Sequence, residues 1–128
     1  MLVTAAIIEK EGRVLITQRP DDGRHMGGGW EFPGGKVEFG EGPRDCLERE
    51  ILEELGIKIK ARDLFEVSSH VYDGKKHIVL LGIRCDFLSG EIKKHDIKDY
   101  AWVSPKDFDK YDMVAADLVF VRRLLELH

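Results

Sequence analysis

The chain has 128 residues and 14.6 kDa, which suits one domain over residues 1–128 and excludes a second of ordinary size. With 43% hydrophobic and 34% charged residues it is globular material rather than a disordered or fibrous chain. The formal charge of −4 argues against holding long nucleic acid, no run is long enough to span a membrane, and the start lacks a basic leader.

Residues 2–8 (LVTAAII) are apolar and β-branched, and read as a buried strand. Glu11-Gly12 supplies a turn, and 13–19 (RVLITQR) the partner of a hairpin. Residues 20–29 (PDDGRHMGGG) read as a loop long enough to be functional. After the pair Gly34-Gly35 come six glutamates between Glu38 and Glu54. Gly42 is placed as N-cap, Pro43 as the first helical residue and Gly56 as a left-handed stop, predicting a helix over 43–55. Cys46, Leu47, Ile51, Leu52 and Leu55 form its apolar stripe. Residues 58–60 and 63–71 read as strands, Asp73-Gly74 as a hairpin turn and 75–87 as the strongest strand. A short strand at 99–103, a helical turn at 105–108 and an amphipathic helix over 113–128 complete a layered α/β chain. Its apolar face is read as Val114, Leu118, Val121, Leu124 and Leu125.

Glu50, Glu53 and Glu54 stand at i, i+3 and i+4 of the predicted helix, so their carboxylates share a face about one turn long. Carboxylates this close need a cation or raised pKa values, and an oxygen-only donor set suits Mg²⁺ or Mn²⁺. A glycine pair ahead of them lets backbone approach a metal or phosphate. Arg49 points about 100° away from Glu50 around the helix and can hold a loop carboxylate such as Glu41. A solvated acidic face is the plain alternative for the three glutamates. Cys46 and Cys85 show no metal spacing, so reduced thiols and a cytoplasmic location are expected. The five histidines show no H-x-x-x-H spacing; His25, His70, His77 and His95 read as surface or strand residues.

The segment from Gly35 to Ile57 resembles the Nudix box position for position: Gly35, Glu41, Arg49, Glu50, Ile51, Glu53, Glu54, Gly56 and Ile57 occupy its nine specified places. The resemblance implies an α/β/α sandwich around a mixed β-sheet, with a catalytic loop-helix-loop, and hydrolysis of a nucleoside diphosphate linked to a further group. It implies that Glu50, Glu53, Glu54 and the Gly35 carbonyl hold Mg²⁺, with Mn²⁺ as a substitute. It also implies that Arg49 orients a box glutamate, with Glu41 its partner here. Glu50, Glu53 or a loop acid would be the base. From Ile16 to Glu38 the chain resembles MutT-like nucleoside triphosphate pyrophosphohydrolases, which implies a small-molecule nucleotide substrate, normal or oxidised. Arg19 would then lie near a phosphate or sugar, and Trp30, Glu31 and Phe32 would line the base pocket. Plain core is the alternative for Trp30 and Phe32, and a surface ion pair for Arg19. Asp96 would be a further metal-binding acid, with Asp99 its competitor. Asp117 would read the base where MutT has an asparagine, and is otherwise a cap or solvated residue. A dinucleoside polyphosphate, ADP-ribose or a coenzyme A species as substrate, and a non-catalytic nucleotide-binding module, stand as alternatives. Monomer and homodimer are both compatible with the sequence.

Overall fold

The structure, a computed structural model, describes residues 1–21 and 27–127. His25, the middle of the 20–29 loop and His128 at the end of the predicted last helix lie outside the described residues. Among the described residues seven strands and two α-helices follow in order: β1 (Leu2–Lys10), β2 (Arg13–Gln18), β3 (Trp30–Glu31), β4 (Gly34–Lys36), α1 (Pro43–Leu55), β5 (Lys58–Tyr72), β6 (Lys76–Ser89), β7 (Asp99–Val103) and α2 (Leu118–Leu127). Among the described residues the strands form one mixed sheet, ordered β3-β2-β1-β6-β5, with β4 also on β1 and β7 also on β2. Among the described residues β1 and β6 pair in parallel and the other strand pairs are antiparallel, with one isolated parallel bridge between Trp30 and Met113.

Strand alternation divides the core into two layers. Ala5, Ile7, Val14 and Ile16 face α2, packing with Phe120, Val121 and Leu124. Ala6, Ile8 and Leu15 face α1, packing with Leu47, Ile51 and Leu55. The result is the α/β/α sandwich that the box resemblance implies. Helix α1 begins and ends where its signals stand: Pro43 opens it, and Gly56 closes it at φ 73°, its N–H donating to the Leu52 carbonyl at 3.0 Å.

Four expectations are corrected. The stretches 58–60 and 63–71 are one strand, β5, because bulges at 61–66 absorb the break in alternation. There Glu48 of α1 accepts the Ala61 N–H at 3.0 Å, and Arg44 donates to the Arg62 carbonyl at 2.6 Å. The last helix starts at Leu118 rather than 113. The residues before it are committed to tertiary bonds, Val114 N–H to the Trp30 carbonyl (2.8 Å) and the Asp117 carboxylate to Phe32 N–H (2.8 Å), and 115–117 form a 3₁₀ turn. Leu52 is 47% exposed, since it lies about 100° round the helix from Ile51. Leu118 and Leu125 are likewise exposed, while Phe120 is fully buried and forms the centre of the α2 contact.

Candidate active site

At the end of the sheet where β4 leads into α1, glycine permits contacts that no side chain could make. A Cβ on Gly35 would stand 2.4 Å from Glu50 Cδ, so this position must be glycine for Glu50 to occupy its place. A Cβ on Gly34 would meet the Thr4 carbonyl oxygen at 1.9 Å. The loop that follows returns Glu41 to Arg49, whose Nε and Nη2 donate to Glu41 Oε2 and Oε1 at 2.7 and 3.0 Å. The same guanidinium reaches Glu50 Oε1 at 3.1 Å and Glu53 Oε2 at 3.3 Å, with Glu38 farther away at 3.8 Å. Arg49 therefore neutralises the carboxylate face as well as holding Glu41, a reach toward Glu50 that the helical angle alone did not suggest. The hydrogen bond to Arg49 pulls the Glu41 carboxyl down to about 2.

Glu50 and Glu54 point inward and Glu53 outward. The Glu50 side chain is 17% exposed and that of Glu53 60%. Burial, with the adjacent Glu50 and the charges of Glu31 and Asp96, pushes Glu54 up to about 8. Crowded, half-buried carboxylates respond in this way, and positive charge between them would relieve it. Among the described residues, no three Asp, Glu, His or Cys side chains converge tightly enough to enclose an ion unaided. The donor chemistry fits a hard divalent cation nonetheless: oxygen ligands only, a side-chain-free backbone beside Glu50, and a carboxylate pair needing positive charge.

Two cavities meet here. One, of about 350 Å³, is lined by Glu54, Asp96, Arg19, Glu31, Thr17 and Gly34. Asp96 thus faces the acidic cavity, whereas its competitor Asp99 is held by Lys94 (3.1 Å) and its neighbour's Tyr100 N–H (2.8 Å). The second, of about 210 Å³, shares Arg19, Glu31 and Gly34 with the first and runs to Phe32, Tyr72 and Asp117. Arg19 donates to Glu31 at 3.0 Å where the two spaces adjoin. Asp117, 2% exposed, is raised to about 8 chiefly by burial and next by the charge of Glu31.

The site residues expected from sequence therefore fall into place unevenly. Arg19, Glu31, Phe32 and Asp117 border the second cavity, with Phe32 also serving as core against Phe108 and Phe120. Trp30 lines neither cavity: it stands edge-on to Tyr111 at 5.0 Å, turned away from Glu31 by strand alternation. Gly35 lines neither cavity; its carbonyl accepts a hydrogen bond from Thr4 Oγ1 at 3.0 Å, and Gly34 is the glycine that borders both spaces. Thr4 and Tyr72 were missed by sequence reasoning. A lone threonine within an apolar strand was the available signal for Thr4; nothing local marks Tyr72.

Comparison with known proteins agrees with this arrangement. The NUDIX domain model matches residues 2–124. The chain is 35% identical over 126 residues to CTP pyrophosphohydrolase of Escherichia coli (strain K12), covering 98% of this chain and 91% of that one. It is 31% identical over 125 residues to the nucleoside triphosphatase NudI of Escherichia coli O139:H28, covering 89% of each. Among solved structures, the solution structure of the E. coli ORF135 protein superposes with a TM-score of 0.86 at 33% identity, over 98% of this chain and 89% of that one. A MutT protein from Methanosarcina mazei Go1 gives 0.87 at 25%, over 99% and 94%. The chain belongs to the Nudix family. It is a Nudix hydrolase, and that family works with divalent metal cations. No helix among the described residues is long and apolar enough to cross a membrane.

Proposed function

We propose that this hydrolase converts a nucleoside triphosphate, normal or oxidised, to the monophosphate and pyrophosphate, with Mg²⁺ as the working cation and Mn²⁺ as a substitute. The observation that carries the reading is the adjacency of an acidic cavity, bordered by Glu54 and Asp96, to a second cavity ending at Asp117, with Arg19 and Glu31 common to both. A polyphosphate and a base would each have a place, joined across Arg19. That E. coli relatives are named for CTP and for nucleoside triphosphates supports the same substrate class.

Glu50, Glu53, Glu54 and Asp96 would hold the cations, with the backbone of Gly34, which borders the acidic cavity, in the place expected of Gly35. The chemistry such a cation would supply there is neutralisation of polyphosphate charge and a lowered pKa for the attacking water. Glu50, Glu53 or a loop acid outside the box would take the proton from the attacking water as a phosphoanhydride bond breaks. Arg49 keeps Glu41 and the helix carboxylates in position, Arg19 meets a phosphate or sugar oxygen, and Glu31, Phe32 and Asp117 contact the base. The chain would act as a single domain over 1–128, in the cytoplasm, as a monomer or homodimer.

The test is a substrate panel with Mg²⁺ and again with Mn²⁺: normal and oxidised nucleoside triphosphates, ADP-ribose, diadenosine polyphosphates and coenzyme A. Pyrophosphate release from a nucleoside triphosphate should exceed turnover of every other class. Faster hydrolysis of ADP-ribose or coenzyme A would overturn the substrate assignment.

A further inference from the structure

Thr4 is the only polar residue in the apolar run 2–8 and is 1% exposed, a place where valine would match its shape at no polar cost. Its hydroxyl has a definite use. Thr4 and Gly35 are register partners in the β1–β4 ladder, and Thr4 Oγ1 donates to the Gly35 carbonyl at 3.0 Å. Cys46 of α1 closes round the same point, its Sγ 3.7 Å from Thr4 Oγ1 and 3.5 Å from the Lys36 carbonyl oxygen. The Thr4 carbonyl oxygen also lies against Gly34, leaving no room for a side chain there.

Two consecutive glycines lose the largest conformational entropy on ordering, so the ladder that turns the Gly35 carbonyl toward β1 is reinforced by the added bond from the Thr4 hydroxyl. Successive carbonyls of a strand point in opposite directions across it. Turning the Gly35 carbonyl toward Thr4 therefore turns that of Gly34 away from β1, and Gly34 is the glycine bordering both cavities.

We propose that Thr4 is a positioning residue for the cation site: its buried hydroxyl locks the Gly34–Gly35 backbone in the one orientation that serves the acidic cavity. This rests on the reading of that cavity as the cation site.

The test is Mn²⁺ binding without substrate, followed by electron paramagnetic resonance of free Mn²⁺, in wild type, T4V and T4S. Omitting substrate matters because Thr4 also borders the second cavity. T4V should weaken Mn²⁺ binding by about fivefold, the effect of one buried hydrogen bond, and T4S should restore it. Unchanged affinity in T4V, or equal loss in T4S, overturns the role of Thr4. Failure of the wild type to bind Mn²⁺ instead overturns the cation reading, and Thr4's role with it. Should T4V not fold, carbonyl ¹³C shifts of the wild type decide. Mg²⁺ should move the Gly34 resonance and leave Gly35 nearly still; the reverse, or no movement at either, refutes the proposal.

Discussion

Arg49 grips Glu41 through two parallel hydrogen bonds, Nε to Oε2 at 2.7 Å and Nη2 to Oε1 at 3.0 Å, across eight residues of chain. This bidentate geometry is the strongest form of arginine–carboxylate contact and fixes direction as well as distance. It ties the loop after β4 to α1, and leaves one nitrogen, Nη1, to reach both Glu50 and Glu53.

Replacing Glu41 by Gln should free Arg49 from the loop and lower kcat by about 10²-fold, the scale of a displaced catalytic group. Because the Glu41 carboxyl is held down to about 2, its folded pKa lies below the ordinary value of about 4.3. The pairing is fully present above that ordinary value and is lost only as pH falls toward the folded one. The kcat ratio of wild type to E41Q should therefore stay level from pH 6 to 9. A ratio that rises or falls across that window would show that Glu41 acts as a titrating group instead.

Glu53→Gln should reduce turnover at saturating Mg²⁺ by at least about 10²-fold, the lower end for loss of a general base. The side chain is 60% exposed, so circular dichroism and the melting temperature should be almost unchanged. Near-wild-type rates would remove Glu53 from the machinery and leave Glu50 as the helix candidate for base.

Stability should fall as pH rises through neutrality. Asp117 is held at about 8 in the fold by burial, well above the ordinary aspartate value of about 3.9. Between those two values the folded state binds more protons than the unfolded, so the stabilisation is complete below the lower one and is lost as pH climbs toward 8. The slope approaches at most about 1.4 kcal/mol per pH unit. In protein free of divalent cation, Glu54, held at about 8 by burial and by Glu50, acts in the same direction. D117N keeps an oxygen for the Phe32 N–H and removes the ionisation, so its melting temperature should decline less between pH 6 and 8.5. Parallel curves for the two proteins would contradict this account.

Packing under α2 gives a prediction away from the site. A Cβ on Gly82 would lie 2.6 Å from Phe120 Cε1, and Phe120 is fully buried. G82A should cost about 1–3 kcal/mol as overpacking, lowering the melting temperature by several degrees while kcat per folded molecule holds. L52Q, at an exposed helix position, should change stability by no more than about 0.5 kcal/mol. Equal losses in the two variants would mean that the α2 layer is looser than the contacts imply.

Helix α1 was legible to the residue because its start and stop are local: proline tolerates the first turn, and glycine alone adopts φ 73° at its end without strain. The spacing of Glu41, Arg49, Glu50, Glu53 and Glu54 could be read for the same reason, since a helix converts sequence interval directly into angle. The start of α2 could not. Residues 113–117 have helical composition, but hydrogen bonds to Trp30 and Phe32, more than eighty residues earlier, hold them out of the helix.

By itself, then, the sequence determined the bounds of α1, its carboxylate face and the membership of the box, all of which depend on short-range spacing. Tertiary structure alone decided which of those groups meet. It turned Trp30 away from the cavity, set Gly34 at the junction of two spaces, gave the Gly35 carbonyl to Thr4, and buried Asp117 against Phe32. Each of these joins different strands or a strand to a distant turn, and the register that brings them together is set by the sheet as a whole.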